Sequence, residues 1–281
     1  MLDVQKFSYH CHTNFSDGRD SLLSMVRRAK ILGWSEIGIT DHLIVHKNML
    51  QSPSAELMFA RPASYIYHHD FATIRDDFAR HCDELHQLSR QEGIKIYAGF
   101  EVDFFTYDGW LEELRDFLTH IDYDYLISGN HFLFGADGET LVNMTDLRQV
   151  YPDAAQYDEL LCAHFQAMAD SAVSGLFKFV AHLDYVRRVG ADICGAEHYK
   201  AQKQAVLAAL QKHNIGTEIS TKGLRKSGEF YPCDWQLKEI AARQIPVVIS
   251  DDAHCTEELG DHFDLAEQTL AQYGITRRLH F

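Results

Sequence analysis

The chain has 281 residues, of which 46% are hydrophobic and 24% charged, with a formal net charge of −15 at pH 7. This is the composition of an ordinary globular protein with one large or two small domains, and the negative sign argues against nucleic acid as a partner. No apolar run nears the ~20 residues of a membrane span, the N-terminus lacks a basic region followed by an apolar one, and the six cysteines (Cys11, Cys82, Cys162, Cys194, Cys233, Cys255) form no CxxC pair, so a reduced cytoplasmic protein is expected.

Residues 4–9 have strand character. Alternate side chains of a strand share a face, so His10 and His12 point one way and Cys11 the other. Asp17 follows at a glycine-containing turn. Apolar residues recur at helical spacing over 21–32, with Asp20 or Ser21 as cap and Gly33 as stop. Residues 36–40 read as a strand. The stretch 43–67, with Pro53 and Pro62, reads as a long irregular connection of the kind that often carries function. Then come a helix over 71–91, a strand over 94–102, a helix over 111–118 and a strand over 123–129. A helical stretch is predicted over 141–174 with a break near Pro152. Next are a strand over 176–181, a helix over 197–213 and a strand over 215–219. A helix over 234–243, a strand over 246–250 and a helix over 259–273 complete the chain. About seven β–α units imply parallel strands with right-handed crossovers. The pattern fits an α/β barrel in a single domain and leaves a doubly wound open sheet as the alternative.

The informative residues sit just past the strands. The first is followed by His10, His12 and Asp17, the second by Thr40-Asp41-His42. The third ends Gly99-Phe100-Glu101-Val102-Asp103, the fourth Gly129-Asn130-His131, the fifth His182-Leu183-Asp184. The seventh ends Ser250-Asp251-Asp252-Ala253-His254. Only the sixth is followed instead by a basic segment, Lys222-Gly223-Leu224-Arg225-Lys226. Taken singly, each has a plain structural explanation; Asp252, for example, could cap the following helix. In a parallel barrel, however, these ends converge on one face. Mixed imidazole and carboxylate donors suit zinc, manganese or iron. Nine of these residues (His10, His12, Asp17, His42, Glu101, His131, His182, Asp252 and His254) are too many ligands for one ion and suffice for two or three divalent ions, with Glu101 able to bridge two. Clustered ions generate hydroxide near neutral pH and clamp the oxygens of a displacement at phosphorus. Arg225 could grip a phosphate by a bidentate fork.

These residues, in this order, resemble the PHP (polymerase and histidinol phosphatase) superfamily over nearly the whole chain, and most closely its histidinol-phosphatase branch. Lys222-Gly223-Leu224-Arg225-Lys226 with Tyr231-Pro232 resembles a segment of that branch. The resemblance implies a distorted (β/α)7 TIM-like barrel, a single domain over 1–281, with a trinuclear metal site at the C-terminal strand ends. It implies one ion on His10, His12, Glu101 and Asp252, a second on Glu101, His131 and His182, and a third on Asp17, His42 and His254. Glu101, Asp252 and His254 would act in catalysis with a metal-bridging hydroxide, and Arg225 and Lys222 would bind the phosphate. Ser220 stands where an asparagine is expected, Cys11 and Asn130 replace commoner neighbours, and the loop 46–69, with Lys47, Arg61, Tyr65 and Tyr67, has no close match. The function so implied is hydrolysis of L-histidinol phosphate, a small phosphorylated metabolite, in histidine biosynthesis. The alternatives are another small ester such as a nucleotide or sugar phosphate, a 3′-exonuclease-like activity, or a non-catalytic metal-binding module.

Overall fold

In a computed structural model, residues 4–135, 139–153, 158–190, 193 and 195–281 are described. Helix α1 (Leu22–Ile31) leads into β1 (Glu36–Val45), then α2 (Ala55–Phe59), β2 (Tyr67–His68), α3 (Arg75–Glu92), β3 (Lys95–Val102), α4 (Trp110–Leu118) and β4 (Tyr125–Ser128). A hairpin of β5 (Phe132–Phe134) and β6 (Leu141–Asn143) follows, then α5 (Leu147–Val150), α6 (Asp158–Val173), β7 (Phe179–Val180), α7 (Lys200–His213) and β8 (Gly216–Ser220). The chain ends with α8 (Lys222–Ser227), α9 (Asp234–Arg243), β9 (Val247–Ser250) and α10 (Phe263–Tyr273). Seven strands form one parallel sheet in the order β2-β1-β3-β4-β7-β8-β9.

The N-terminal segment closes this sheet into the expected barrel. On one side it meets β1, where Gly38 N donates to Ser8 O (2.7 Å) and Thr40 N to Cys11 O (2.8 Å). On the other it meets the end of β9, through a parallel bridge between Cys11 and Ala253 and the bond from His12 N to Ala253 O (2.8 Å). The predicted strand over 4–9 is therefore not a regular one. The reason is visible at Gln5: its side-chain amide donates to Ile249 O (2.7 Å) and accepts from Ile249 N (3.2 Å), doing for the edge of β9 what a strand backbone would do.

Three further differences matter. The stretch 43–67 is not structureless: β1 continues to Val45 and pairs with β2 at Ile44–Tyr67 and Val45–His68, with α2 between. The predicted helix over 141–174 begins instead as β6, antiparallel to β5, and its helical parts among the described residues are the short α5 and the longer α6. The basic segment after β8 is a short helix, α8.

The barrel is filled from below. Tyr9, Tyr125, Ile127, Phe179, Ala181 and Val248 pack there with Phe281, whose ring stacks on Tyr9 at 4.1 Å. Burying an aromatic or branched side chain fully stabilises by about 1.5–3 kcal/mol. The apolar plug leaves the polar interior positions at the opposite, C-terminal end. The helices cover the outside with apolar stripes: α1 buries Leu22, Met25, Val26 and Ala29, the predicted face, and is capped by Ser21, whose hydroxyl accepts from Ser24 N (3.3 Å). Among the described residues no helix is long and apolar enough to cross a membrane.

Candidate metal centre

Glu101, at the end of β3 and 1% exposed, is the hub. Its Oε1 lies 2.9 Å from His182 Nε2, 3.3 Å from His10 Nε2 and 3.4 Å from His131 Nε2. Its Oε2 lies 3.1 Å from His42 Nδ1 and 3.4 Å from His12 Nε2. Asp252 Oδ1 faces His12 Nε2 at 3.2 Å and His10 Nε2 at 3.6 Å. Asp17 Oδ1 faces His254 Nε2 at 3.2 Å and His42 Nε2 at 3.3 Å. The strand ends predicted to converge do converge. Among the described residues, four overlapping groups each bring their donor atoms within 4.8 Å of one another: His12, Asp17, His42 and His254; His10, His182 and Asp252; His10, His12 and Glu101; His42, Glu101 and His131. His12 thus belongs with Asp17 as much as with His10.

The donor atoms fit a cation. His10 Nε2, both nitrogens of His12, His42 Nδ1, Asp17 Oδ1 and Asp252 Oδ1 are buried without a hydrogen-bond partner. Such groups cost free energy unless something satisfies them, and a divalent ion would satisfy several at once. Backbone strain marks the same place. His182 (φ 49°), Asp252 (φ 45°) and Asn130 (φ 59°) are non-glycine residues in the left-handed region immediately past β7, β9 and β4, and strain of this kind clusters at functional sites.

Burial works against every charge here, so the charged groups hold one another. Against that burial, Lys222, His10, His12 and His254 keep the Asp252 carboxyl well below the carboxylate range; His131, His10 and His42 do so for Glu101, and His42 and His254 for Asp17. The carboxylates in turn raise His10 and His42 despite their burial. His12 goes the other way, pushed down to about 3 by burial and by His254 and His42. It is neutral at pH 7, the form that binds metal.

A cleft of ≈ 280 Å³ opens above the cluster, its walls including His42, His131, Tyr67, Phe132, Arg61 and Lys222. The 46–69 segment and the β5–β6 hairpin make the roof. Arg61 bonds to Asp146, to Thr145 Oγ1 (3.2 Å) and to Tyr67 OH (3.2 Å); Lys47 pairs with Glu139 (2.6 Å). Tyr65 OH donates to Ser16 O, next to Asp17. Lys222 Nζ is 2.8 Å from Asp252 Oδ2 and also borders a second cavity beside the cluster. Arg225 borders only the latter; its guanidinium donates to Asp251 O (2.5 Å) and lies 3.6 Å from Glu258.

The sequence reading missed a layer beneath the strand ends. Glu218, in β8, accepts from His10 Nδ1 at 2.9 Å, so the sixth strand does carry an acidic residue, one level below its end. Asp103 accepts from His131 Nδ1 at 2.9 Å. Asp41 accepts from Thr13 N (2.7 Å), Thr13 Oγ1 (2.7 Å), Ser16 Oγ (2.6 Å) and His81 Nε2 (3.0 Å), tying down the loop that delivers Asp17. Alternation along β8 places Glu218 inward, and that signal was present in Thr217-Glu218-Ile219. Cys11 faces away from the cluster, as strand alternation predicts, with Sγ 3.6 Å from Asp251. Cys194 lies outside the described residues.

Known proteins resemble this chain at both levels. A protein of Deinococcus radiodurans named "Probable histidinol-phosphatase" is 27% identical over 190 residues, which is 64% of this chain and 66% of that protein. The "Histidinol-phosphatase" of Bacillus subtilis strain 168 is 24% identical over 272 residues, 92% of this chain and 96% of that one. Among solved structures, one from Listeria monocytogenes has a TM-score of 0.73 at 20% identity and covers 92% of this chain and 99% of its own. A histidinol phosphate phosphatase from Lactococcus lactis subsp. lactis, complexed with zinc, L-histidinol and phosphate, has a TM-score of 0.67 at 17% identity, covering 99% and 97%. These likenesses place the seven-stranded sheet among TIM-like barrels of that kind. The PHP domain model matches residues 8–222, most of the chain and, among the described residues, eight of the nine strands, and the chain therefore belongs to the PHP domain family.

Proposed function

We propose that this chain is a metal-dependent phosphomonoesterase that hydrolyses L-histidinol phosphate to L-histidinol and phosphate. In this reading His10, His12, Asp17, His42, Glu101, His131, His182, Asp252 and His254 hold two or three divalent ions of zinc, manganese or iron. The observation that carries it is the set of overlapping donor groups around Glu101 at the floor of an open cleft. Ions held there supply an activated water and neutralise charge at a phosphoryl group.

The chain's own residues do the rest. Glu101 offers both oxygens to different histidines and so couples the donor groups. His254 donates through Nδ1 to Asp252 O (3.0 Å), which leaves Nε2 bare toward Asp17. Lys222 keeps a cation beside Asp252 at the cleft wall, where a phosphate oxygen can reach it. Arg225 adds charge from the neighbouring cavity. Tyr67 and Phe132 form an apolar wall that excludes water and accepts a flat ring on the leaving alcohol. The names of the two sequence relatives supply the identity of that alcohol, and the five described cysteines, all free thiols, suit a cytoplasmic biosynthetic enzyme.

Phosphate release from L-histidinol phosphate, nucleotides and sugar phosphates by protein loaded with zinc, manganese or iron tests the reading. Fastest turnover of L-histidinol phosphate, abolished by a chelator, is expected. If metal-loaded protein turns over no ester, it is not a phosphatase. A strong preference for another ester would overturn only the leaving group.

A further inference from the structure

We propose that Glu218 is a positioning residue that fixes the tautomer and orientation of His10 and thereby sets how tightly the centre holds metal. The inference rests on the metal-binding part of the function proposed above, and not on the substrate.

Glu218 sits inside the barrel on β8, fully buried. Its Oε2 accepts from His10 Nδ1 (2.9 Å) and from Ser250 Oγ (2.7 Å); its Oε1 is buried without a hydrogen-bond partner. No lysine or arginine pairs with it among the described ion pairs; its one ionic partner is His10. An ionised carboxylate buried this deeply is costly unless paired, and a glutamate whose purpose was only to fill the barrel would be better replaced by an apolar side chain. A carboxylate can only accept, so the imidazole must carry its proton on Nδ1. In the neutral ring, the form that binds metal, the lone pair is then on Nε2, the atom that faces Glu101 at 3.3 Å and Asp252 at 3.6 Å. Without Glu218 the ring could take the other tautomer or turn over, putting an N–H where a lone pair is needed. The negative charge behind the ring also makes Nε2 a better donor to a cation.

The contact also explains how the sixth strand takes part. Strands β1, β3, β4, β7 and β9 present donors near or just past their C-terminal ends. Strand β8 reaches the centre from beneath, two residues before its last residue Ser220, through the ring of a histidine held by a different segment. His131 has the same support from Asp103, so the hub glutamate is flanked by two histidines whose outer nitrogens are both tied to carboxylates.

The test measures zinc affinity of the full-length chain by competition with a chromophoric chelator. Wild type, Glu218→Gln and Ser250→Ala are compared, and the unfolding of each metal-free protein is followed separately. Glu218→Gln keeps the volume and removes the charge. It should weaken zinc binding about 10–100-fold, the usual cost of losing such a support. Ser250→Ala, which removes the other hydrogen bond to the same oxygen, should weaken it far less. A purely structural role would instead shift the metal-free unfolding midpoint and leave zinc affinity alone. Zinc affinity and stoichiometry of Glu218→Gln within about twofold of wild type would overturn the proposal, being well under the expected loss. Should Glu218→Gln fail to fold, Glu218→Asp replaces it: the charge stays but retreats by one methylene, weaker zinc binding is expected, and wild-type affinity would overturn the proposal equally. Wild type that takes up no zinc, manganese or iron would overturn the metal centre itself, a result separate from either.

Discussion

Gly129 lies between β4 and His131, and adding one methyl group there is a sharp probe of the centre. A Cβ at this position would stand 2.7 Å from His131 Cε1 and 2.8 Å from Glu101 Oε1. Ordinary contacts for such atoms begin near 3.4 Å, so the hub glutamate and the imidazole must each give way, by roughly 0.6–0.7 Å. The backbone of Gly129 is not in the left-handed region, and alanine can adopt it, so the whole cost falls on those two side chains. Overpacking of this size costs about 1–3 kcal/mol, small enough for Gly129→Ala to fold. A misplacement approaching 1 Å at reacting groups costs on the order of 100-fold in rate. Expected, then, is a 10–100-fold fall in phosphate release at saturating metal and substrate, with reduced metal affinity and an unfolding midpoint lowered by no more than a loss of about 1–3 kcal/mol produces. The assay is steady-state phosphate release together with denaturant unfolding of the metal-free protein. Full activity in a folded Gly129→Ala variant would show that neither Glu101 nor His131 needs its present place, and would refute the hub.

Arg225→Ala should raise KM for a phosphate ester about tenfold or more with little change in kcat, because a hydrogen bond to a charged group contributes about 1.5–3 kcal/mol and this one would be made equally in ground and transition states; an unchanged KM in steady-state kinetics would remove Arg225 from the phosphate site. Arg61→Met unties the roof from Asp146, Thr145 and Tyr67, so turnover of L-histidinol phosphate should suffer more than turnover of a simple aryl phosphate; equal losses on both would mean the roof does not read the leaving group. His164, 2% exposed under β5, is pushed down to about 4 by burial. Its unfolded value is about 6.5, so the unfolded chain binds the extra proton between those values and stability must fall as pH drops from 6.5 toward 4. The loss is on the order of 3 kcal/mol for His164 alone, and urea unfolding of wild type and His164→Gln across that range should show a shallower pH slope in the variant.

What the sequence displayed and what it hid divide along a physical line. The convergence of His10, His12, His42, His131 and His254 was legible because the place of a side chain at a strand end depends on one strand only: strand alternation and the convergence of parallel C-terminal ends fix it. Glu101 and Asp252 were legible for the same reason. Glu218 was not, because its meaning depends on which ring lies across the barrel from it, and that is fixed by the pairing of β8 with β9 and by the closure of the barrel through residues 8–12. The Asp41 network was hidden likewise; its partners Thr13, Ser16 and His81 come from a turn and a helix far apart in the chain. The hairpin of β5 and β6 failed for a local reason. Asp137-Gly138 is a turn signal between the two short strands, but Leu141, Val142 and Met144 are apolar and run on into a helical pattern, which outweighed it, so the helix was read as beginning too early.

That division has a consequence for where substitutions should bite. A change at a strand-end histidine removes a donor and should cost occupancy of one ion outright. A change at Glu218, Asp103 or Asp41 leaves every donor present and alters only where each points. The first kind should show as missing metal, the second as metal bound more loosely or displaced. Asp103→Asn tests this cleanly. Its one oxygen can accept from His131 Nδ1, while the bond that the second carboxylate oxygen accepts from His131 N is lost together with the charge behind the ring. Every donor to the ion stays, so zinc stoichiometry should stay at the wild-type value as affinity falls by about tenfold or more. His131→Ala should instead lose zinc stoichiometry and activity together while the barrel remains folded. If Asp103→Asn loses zinc as completely as His131→Ala, the carboxylate is itself a donor to the ion, and the distinction between strand-end donors and the layer beneath them fails.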